Sequence, residues 1–518
     1  MNTLEGLIPV IKRNLAKFDQ PGVLFVRPGF CIENNWPTKE KAIVAVTSNK
    51  AKKKPKLPSK IEGTQVEVRP ATAVEQFSHD NPERFSQLAD HRAELRGTSL
   101  LPEFDPAAQA VRAPIAPKVA ASHQTKIPVQ YVAPNVPLVP VSGTIPLICH
   151  VSPDAGWAEL QKFVSGTQKR LKVSMYDFTS DHVLKLFETA LAGKAVQMTL
   201  DDPPRNRTAD QADPETVQNL AGKFGAKLSS AWALVRSSPE ADSWIFPTAY
   251  HIKVMVRDGD TVWLSSGNLN NSNQPQIDPT SNPQPSDQQK AQQSDRDWHV
   301  IVQSAELAKM LEAYLDQDFQ VATFHAANLS PKIQQPQPFS PSSAIGTFTF
   351  AKPALINEPV TITPLLTPDP GVYQPTMLKL INSATTSIYI QLQYIHPSSD
   401  PAKAKFTDLI DAVAAKIEAG LDVRIILSEF QTLKGGLDAL QAAGINLDKV
   451  KIQSNVHNKG FVFDSKIVVI SSMNWSGEGV LNNRDAGVVL ENATAAAYYE
   501  KVFLDDWANH AQHKSVPS

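Results

Sequence analysis

His251-Ile252-Lys253-Val254-Met255-Val256-Arg257-Asp258 and His457-Asn458-Lys459-Gly460-Phe461-Val462-Phe463-Asp464 fit one pattern, H-x-K-x4-D. Beyond each pattern lies a short apolar run, carrying Val262 and Leu264 in one case and Val468 and Ile470 in the other. Each run reads as a buried strand that delivers a polar group to a sheet edge. The groups are Ser265-Ser266-Gly267-Asn268 and Ser471-Ser472-Met473-Asn474. Further on, Asp295-Arg296-Asp297 and Asn483-Arg484-Asp485 each precede another short apolar strand.

The parallel extends upstream. Ser152-Pro153-Asp154-Ala155-Gly156 opens one segment and Thr367-Pro368-Asp369-Pro370-Gly371 the other. In both, a helix-like stretch follows (WAELQKFVSGT; TMLKLINSA), then a strand (LKVSMYDF; SIYIQLQYI), a helix (DHVLKLFETALAG; KFTDLIDAVAAKIEAG) and a strand (AVQMTL; DVRIILS). Strands alternating with helical crossovers imply an α/β sheet with helices packed on it. A segment repeated in this order is an internal duplication.

This pair of segments resembles the phospholipase D superfamily, whose members carry two H-x-K-x4-D motifs, each trailed by a G-S-x-N-like group. One such motif is weak evidence, because a lone strand histidine is usually a packed or surface residue. Two with the same trailing groups are specific. The resemblance covers about residues 145 to 510. It departs from the family pattern at Ser265 and Ser471, which stand where glycine is usual. It implies an α/β fold of two similar α/β/α sandwich domains related by a pseudo-twofold axis. The expected division is a small α+β module at 1–80, a helical and proline-rich linker at 81–147, a first domain at 148–331, a proline-rich connection with the start of the second repeat at 332–372 and a second domain at 373–518.

The chemistry explains the residue types. A phosphodiester is anionic and resists water, so a two-step displacement needs a nucleophile and a leaving-group acid on opposite sides of phosphorus. Histidine can be either, because its pKa lies near neutrality. The resemblance implies a phosphohistidine intermediate, with His251 expected as nucleophile and His457 as general acid. Lys253 and Lys459 are expected to hold the nonbridging oxygens, joined by Ser266, Asn268, Ser472 and Asn474 as substrate-binding groups. Asp297 and Asp485 fit the acidic residues that the family uses to fix the second ring nitrogen of each histidine. Asp258 and Asp464 are expected to be structural, holding backbone near a turn. No carboxylate cluster suited to Mg²⁺ or Ca²⁺ stands out, so no metal or other cofactor is expected.

Aromatics surround the motifs. Trp475 follows the second polar group, and Trp244, Phe246 and Tyr250 precede the first histidine. They could line a pocket for a base or an acyl glycerol, although core packing suits Phe246 equally. Cys149, His150 and His299 read as structural. The stretch between Asn268 and Asp297 is far longer than that between Asn474 and Asp485, so the first segment carries an insertion, residues 271–293. It is almost wholly polar and reads as a disordered surface loop, with a lid over the site as the alternative.

Composition bounds the rest. The chain has 518 residues with a formal net charge of -2, 42% hydrophobic and 20% charged residues. That is ordinary for a soluble multidomain protein and lacks the basic excess of a nonspecific nucleic-acid binder. The lysine-rich run 50–60 has no interleaved aromatics and reads as a solvated loop. Two cysteines, Cys31 and Cys149, cannot make a disulfide framework. Glu5, Lys12 and Arg13 interrupt the N-terminal apolar positions, so neither a signal-peptide core nor a membrane span is expected. The expected location is cytoplasmic, or outside the cell by a route without a cleavable signal. The expected substrate is a phosphodiester, a phospholipid headgroup in preference to nucleic acid, hydrolysed or transferred by a monomer. A metal-independent nuclease is the alternative, and a non-catalytic scaffold a second.

Overall fold

The computed structural model describes residues 7–33, 36–48, 55–71, 131–201, 209–238, 241–246, 248–326, 346–398, 400–432 and 435–513. Residues 81–130 of the expected linker, 50–54 of the lysine-rich run and 332–345 of the expected connection lie outside the described residues.

An N-terminal unit carries a helix, Ile8–Arg13, on four strands: β1 (Val23–Glu33), β2 (Trp36–Thr47), β3 (Lys60–Ile61) and β4 (Thr64–Pro70), ordered β1-β2-β4-β3. Leu7, Ile11, Phe18, Val26, Ile43 and Ala45 form its own core. Its helix is short and carries Pro9 in its first turn, where a missing N–H costs nothing.

The remaining chain is mixed α/β around one large sheet. Its strands are β5 (Val141–Ser152), β6 (Arg170–Met175), β7 (Ala195–Leu200), β8 (Leu228–Trp232), then, after a separate hairpin of β9 (Leu234–Ser238) and β10 (Ala241–Trp244), β11 (Lys253–Arg257), β12 (Thr261–Ser265) and β13 (Asp297–Gln303). The C-terminal half supplies β14 (Ala354–Thr367), β15 (Ser387–Leu392), β17 (Asp422–Ser428), β18 (Val450–Gln453), β19 (Lys459–Phe463), β20 (Ile467–Ser471) and β22 (Asp485–Glu491); β16 (Ile395–His396) and β21 (Trp475–Ser476) pair beside it. The order is β18-β17-β15-β19-β20-β22-β14-β5-β13-β12-β11-β6-β7-β8. The strands and helices expected from the apolar runs all form, with helices at Gly156–Ser165, Asp181–Ala190, Tyr373–Ser383 and Ala404–Glu418.

Two central strands depart from expectation. β5 begins inside the stretch expected to be linker, and β14 occupies much of the expected connection, so the halves share one sheet instead of holding two separate ones. Prolines hid both. Pro146 lies where β5 pairs with β14 but not with β13, Pro359 where β14 pairs with β5 but not β22, and Pro364 where it pairs with β22 but not β5. Each proline therefore sits on a locally one-sided stretch, where its missing donor breaks no second ladder.

The sheet folds back on itself, so that β12 lies against β20 and β22, and β13 against β19 and β20. The facing strands share one core that includes Val254, Leu264, Val300, Val462, Ile470 and Val488, with Tyr314 and Tyr499 from the helices Ala305–Ala326 and Ala493–Asp505. Separate cores cover the outer faces. With both faces covered, β12 and β19 are buried at every position, which is why they read as unbroken apolar runs.

Candidate active site

β11 and β19 each begin on the lysine of a motif, two residues after its histidine, and β13 and β22 begin on Asp297 and Asp485. Backbone bridges then cross between the halves: Tyr250 pairs with Arg484 and Val456 with Arg296. Each histidine segment is thereby laid along the Arg-Asp segment of the other half. The side chains follow. His251 Nδ1 lies 2.8 Å from Asp485 Oδ1, and His457 Nδ1 lies 3.0 Å from Asp297 Oδ1, all of them buried. Every imidazole is thus held by a carboxylate from the opposite half.

The arginines secure this crossing. Arg296 is buried between Asp154 and Asp506, at 2.9 and 3.0 Å from the latter. Arg484 is buried against Asp318 at 2.8 and 3.0 Å and packs its guanidinium over Phe246, 4.1 Å from the ring centroid. The aspartates of the two opening segments, Asp154 and Asp369, each meet the arginine of their own half, Arg296 and Arg484 respectively, while Asp506 and Asp318 reach those arginines from the other half.

The lysines lie inside the site. Lys253 Nζ donates to His251 O at 2.7 Å and sits 5.0 Å from the centroid of the Tyr176 ring, whose edge also meets His251. Lys459 Nζ donates to His457 O at 2.6 Å and lies 3.0 Å from His457 Nε2. Burial, then the charge of Lys459, lowers the proton affinity of His457, and Asp297 only partly opposes this. Burial works against the charge on Asp297, but His457, His299 and Lys459 together hold its carboxyl well below the ordinary range.

Several expected roles change. Ser266 Oγ donates to Asp297 Oδ1 at 2.7 Å and accepts from Trp298 N; Ser472 Oγ donates to Asp485 Oδ1 at 2.6 Å and accepts from Ala486 N. A hydroxyl has one proton, and here it is committed to the carboxylate, so both serines hold the aspartates instead of meeting substrate. Trp475 is fully buried, donates to Tyr373 Oη at 3.0 Å and packs on Phe461 and Phe406. It is a core residue, as are Phe246 and Tyr250; the Trp244 side chain lies outside the described residues. Asn268 and Asn474 are buried, and Asn268 N–H donates to Asn273 Oδ1. Asp258 accepts N–H bonds from Gln168, Lys169 and Arg170, and Asp464 from Thr385, Thr386 and Ser387, both from positive-φ turns. Cys149 and His150 are buried in the sheet, and His299 is buried between Ser152 and Ser265, its ring nitrogens 2.8 and 2.6 Å from their hydroxyls.

The inserted stretch 271–293 is ordered, contrary to the expectation of a disordered loop. It forms turns and the helix Asp287–Gln292, buries Ile277 and Ala291 against Phe348, and is tied to the other half where Asn455 Nδ2 donates to Gln292 O. Two residues of the site carry no sequence signal that singled them out: Tyr176 lies just past β6, and Asn273 sits in this polar stretch. Among the described residues no group of three His, Cys, Asp or Glu could hold a metal ion, and no helix is long and apolar enough to cross a membrane.

Residues 377–507 match the family model described as cardiolipin synthase, PLD-like domain. The mitochondrial cardiolipin hydrolase of Mus musculus is 26% identical over 98 residues, 18% of this chain and 42% of that protein. A phospholipase D of Rickettsia conorii is 31% identical over 131 residues, 25% of this chain and 59% of that one. This chain therefore spans about two to three fifths of the length of these relatives. The crystal structure of phosphatidylserine synthase from Haemophilus influenzae overlaps 70% of this chain and 86% of its own, with 12% identity and a TM-score of 0.46. That of the phospholipase D family member Nuc from Salmonella typhimurium overlaps 30% of this chain and 99% of its own, with 22% identity and a TM-score of 0.25. These matches support the phospholipase D superfamily, through a phospholipase D-like domain at residues 377–507.

Proposed function

We propose that the protein hydrolyses or transfers a phosphodiester through a phosphohistidine, at one site built by two copies of one domain. The observation that carries this is the crossed pairing of His251 with Asp485 and His457 with Asp297. A carboxylate accepting the Nδ1 proton leaves Nε2 as the reactive nitrogen on each ring. One neutral imidazole attacks phosphorus through Nε2 while the other, protonated, gives its proton to the departing oxygen as the P–O bond breaks. Water then attacks phosphorus, its proton passes to the second imidazole, and the P–N bond breaks. The lysines stabilise the charge on the nonbridging oxygens.

The lowered proton affinity of His457 suits attack better than donation, so His457 is the nucleophile and His251 the acid, the reverse of the order expected from the resemblance. The mirrored strand order supports the duplication. Both motifs lie in one chain, so a monomer suffices, and no metal takes part. A phospholipid headgroup is the preferred substrate, in keeping with the phospholipid-related names of the matched family and relatives.

The test is cleavage of a chromogenic phosphodiester, phosphatidylcholine, cardiolipin and plasmid DNA, each with EDTA. Cleavage of a phospholipid in EDTA is expected. Cleavage of DNA alone would make the protein a nuclease; loss of all activity in EDTA would end the metal-free mechanism; no cleavage by wild-type protein would leave a scaffold.

A further inference from the structure

The two His–Asp pairs match in sequence but not in surroundings. Asp485 accepts His251 Nδ1 and Ser472 Oγ on its Oδ1, and among the described residues its Oδ2 has no hydrogen-bond partner. Asp297 likewise accepts His457 Nδ1 and Ser266 Oγ on Oδ1, but its Oδ2 accepts a further bond, 2.8 Å long, from Asn273 Nδ2. Asn273 belongs to the stretch that the second half lacks. It is held there from several sides: its Nδ2 also donates to Asp295 at 3.1 Å, its Oδ1 accepts the N–H of Asn268 at 3.1 Å, and its own N–H donates to Asn270 Oδ1. The backbone makes room for it. A Cβ on Gly267 would lie 2.6 Å from Asp297 Oδ2 and 3.0 Å from Asn273 Cβ, whereas the matching position in the second half is Met473, which fills a core.

We propose that Asn273 is a positioning residue, supplied by the insertion, that fixes Asp297 and makes the His457 pair chemically unlike the His251 pair. A carboxylate with an added donor is a weaker base and a weaker acceptor, so its imidazole binds a proton less readily. The inserted stretch thereby divides the labour between two otherwise equivalent histidines. Besides His457 itself, the titratable groups facing Asp297 are Lys459 on β19, Asp295 at the end of the insertion and His299 on β13; all are retained in the test. The inference builds on the proposed phosphohistidine chemistry, but the bond itself can be tested without turnover.

The experiment is histidine NMR titration of the full chain in wild type, Asn273→Ala, Asn273→Asp and Gln288→Ala, with pH profiles of kcat/KM. Gln288 bonds the same stretch to Phe348 away from Asp297 and controls for loosening of the loop. Asn273→Ala raises the His457 midpoint by about half a pH unit, Asn273→Asp by more, and neither moves His251. The acid limb of the pH profile rises with it. An unmoved or lowered His457 midpoint, an equal shift at His251, or the same shift in Gln288→Ala would overturn the proposal. Absence of turnover in wild type would refute the phosphohistidine reading and leave the titration result standing.

Discussion

Replacing Asp485 by Asn is the sharpest trial of the crossed pairing, because Asp485 and His251 come from opposite halves of the chain. Asn keeps the size of the side chain and a carbonyl to accept from Nδ1, but removes the negative charge 2.8 Å from the ring. Both side chains are buried, 1% and 0% exposed, so water cannot replace that charge. A hydrogen bond to a charged group is worth about 1.5–3 kcal/mol. Losing it should lower the midpoint of His251 by about one to two pH units. If the same stabilisation supports the imidazolium acid, kcat falls about 10- to 150-fold. Histidine NMR reads the first quantity and hydrolysis of a chromogenic diester the second. In a second arm, Asp485→Asn combined with His251→Ala should be no slower than His251→Ala alone, since the two act as a unit. A midpoint that moves at His457 while His251 stays put would show that each histidine is held within its own half, and the reasoning would fail.

The assigned roles predict a split between leaving groups. His251→Ala should lose far less activity on a p-nitrophenyl ester, which departs without a proton, than on an alkyl ester, while His457→Ala loses both; the opposite pattern restores His251 as nucleophile. Burial holds His299 at about 4, below its ordinary 6.5. The unfolded chain therefore takes up the proton first, so this stabilisation is complete above pH 6.5 and lost as pH falls towards 4, about 3 kcal/mol in all. Urea melts of His299→Gln at pH 7 and 4.5 should show that much less acid sensitivity; an unchanged slope would count against it. Arg484→Met leaves Asp318 buried without its cation and should cost about 3–5 kcal/mol in chemical denaturation. A loss below about 1 kcal/mol would mean that the network is not what secures the crossing.

The sequence by itself determined the alternation of strands and helices, since apolar period and turn residues are local properties. It also carried both H-x-K pairs, the downstream aspartates and the turn-holding Asp258 and Asp464, because each occupies a fixed offset from an apolar strand. Pro146, Pro359 and Pro364 concealed β5 and β14, because a local reading penalises proline without knowing which neighbour a strand lacks. Only the tertiary structure decided that Asp297 serves His457 and Asp485 serves His251: proximity in sequence suggests the opposite, and long-range backbone pairing overrules it. The same holds for Ser266, Ser472 and Trp475, whose hydroxyls and indole are claimed by buried partners, and for the polar 271–293 stretch. Its order comes from bonds to Asp295, Asp297 and Asn455, groups that no composition reveals.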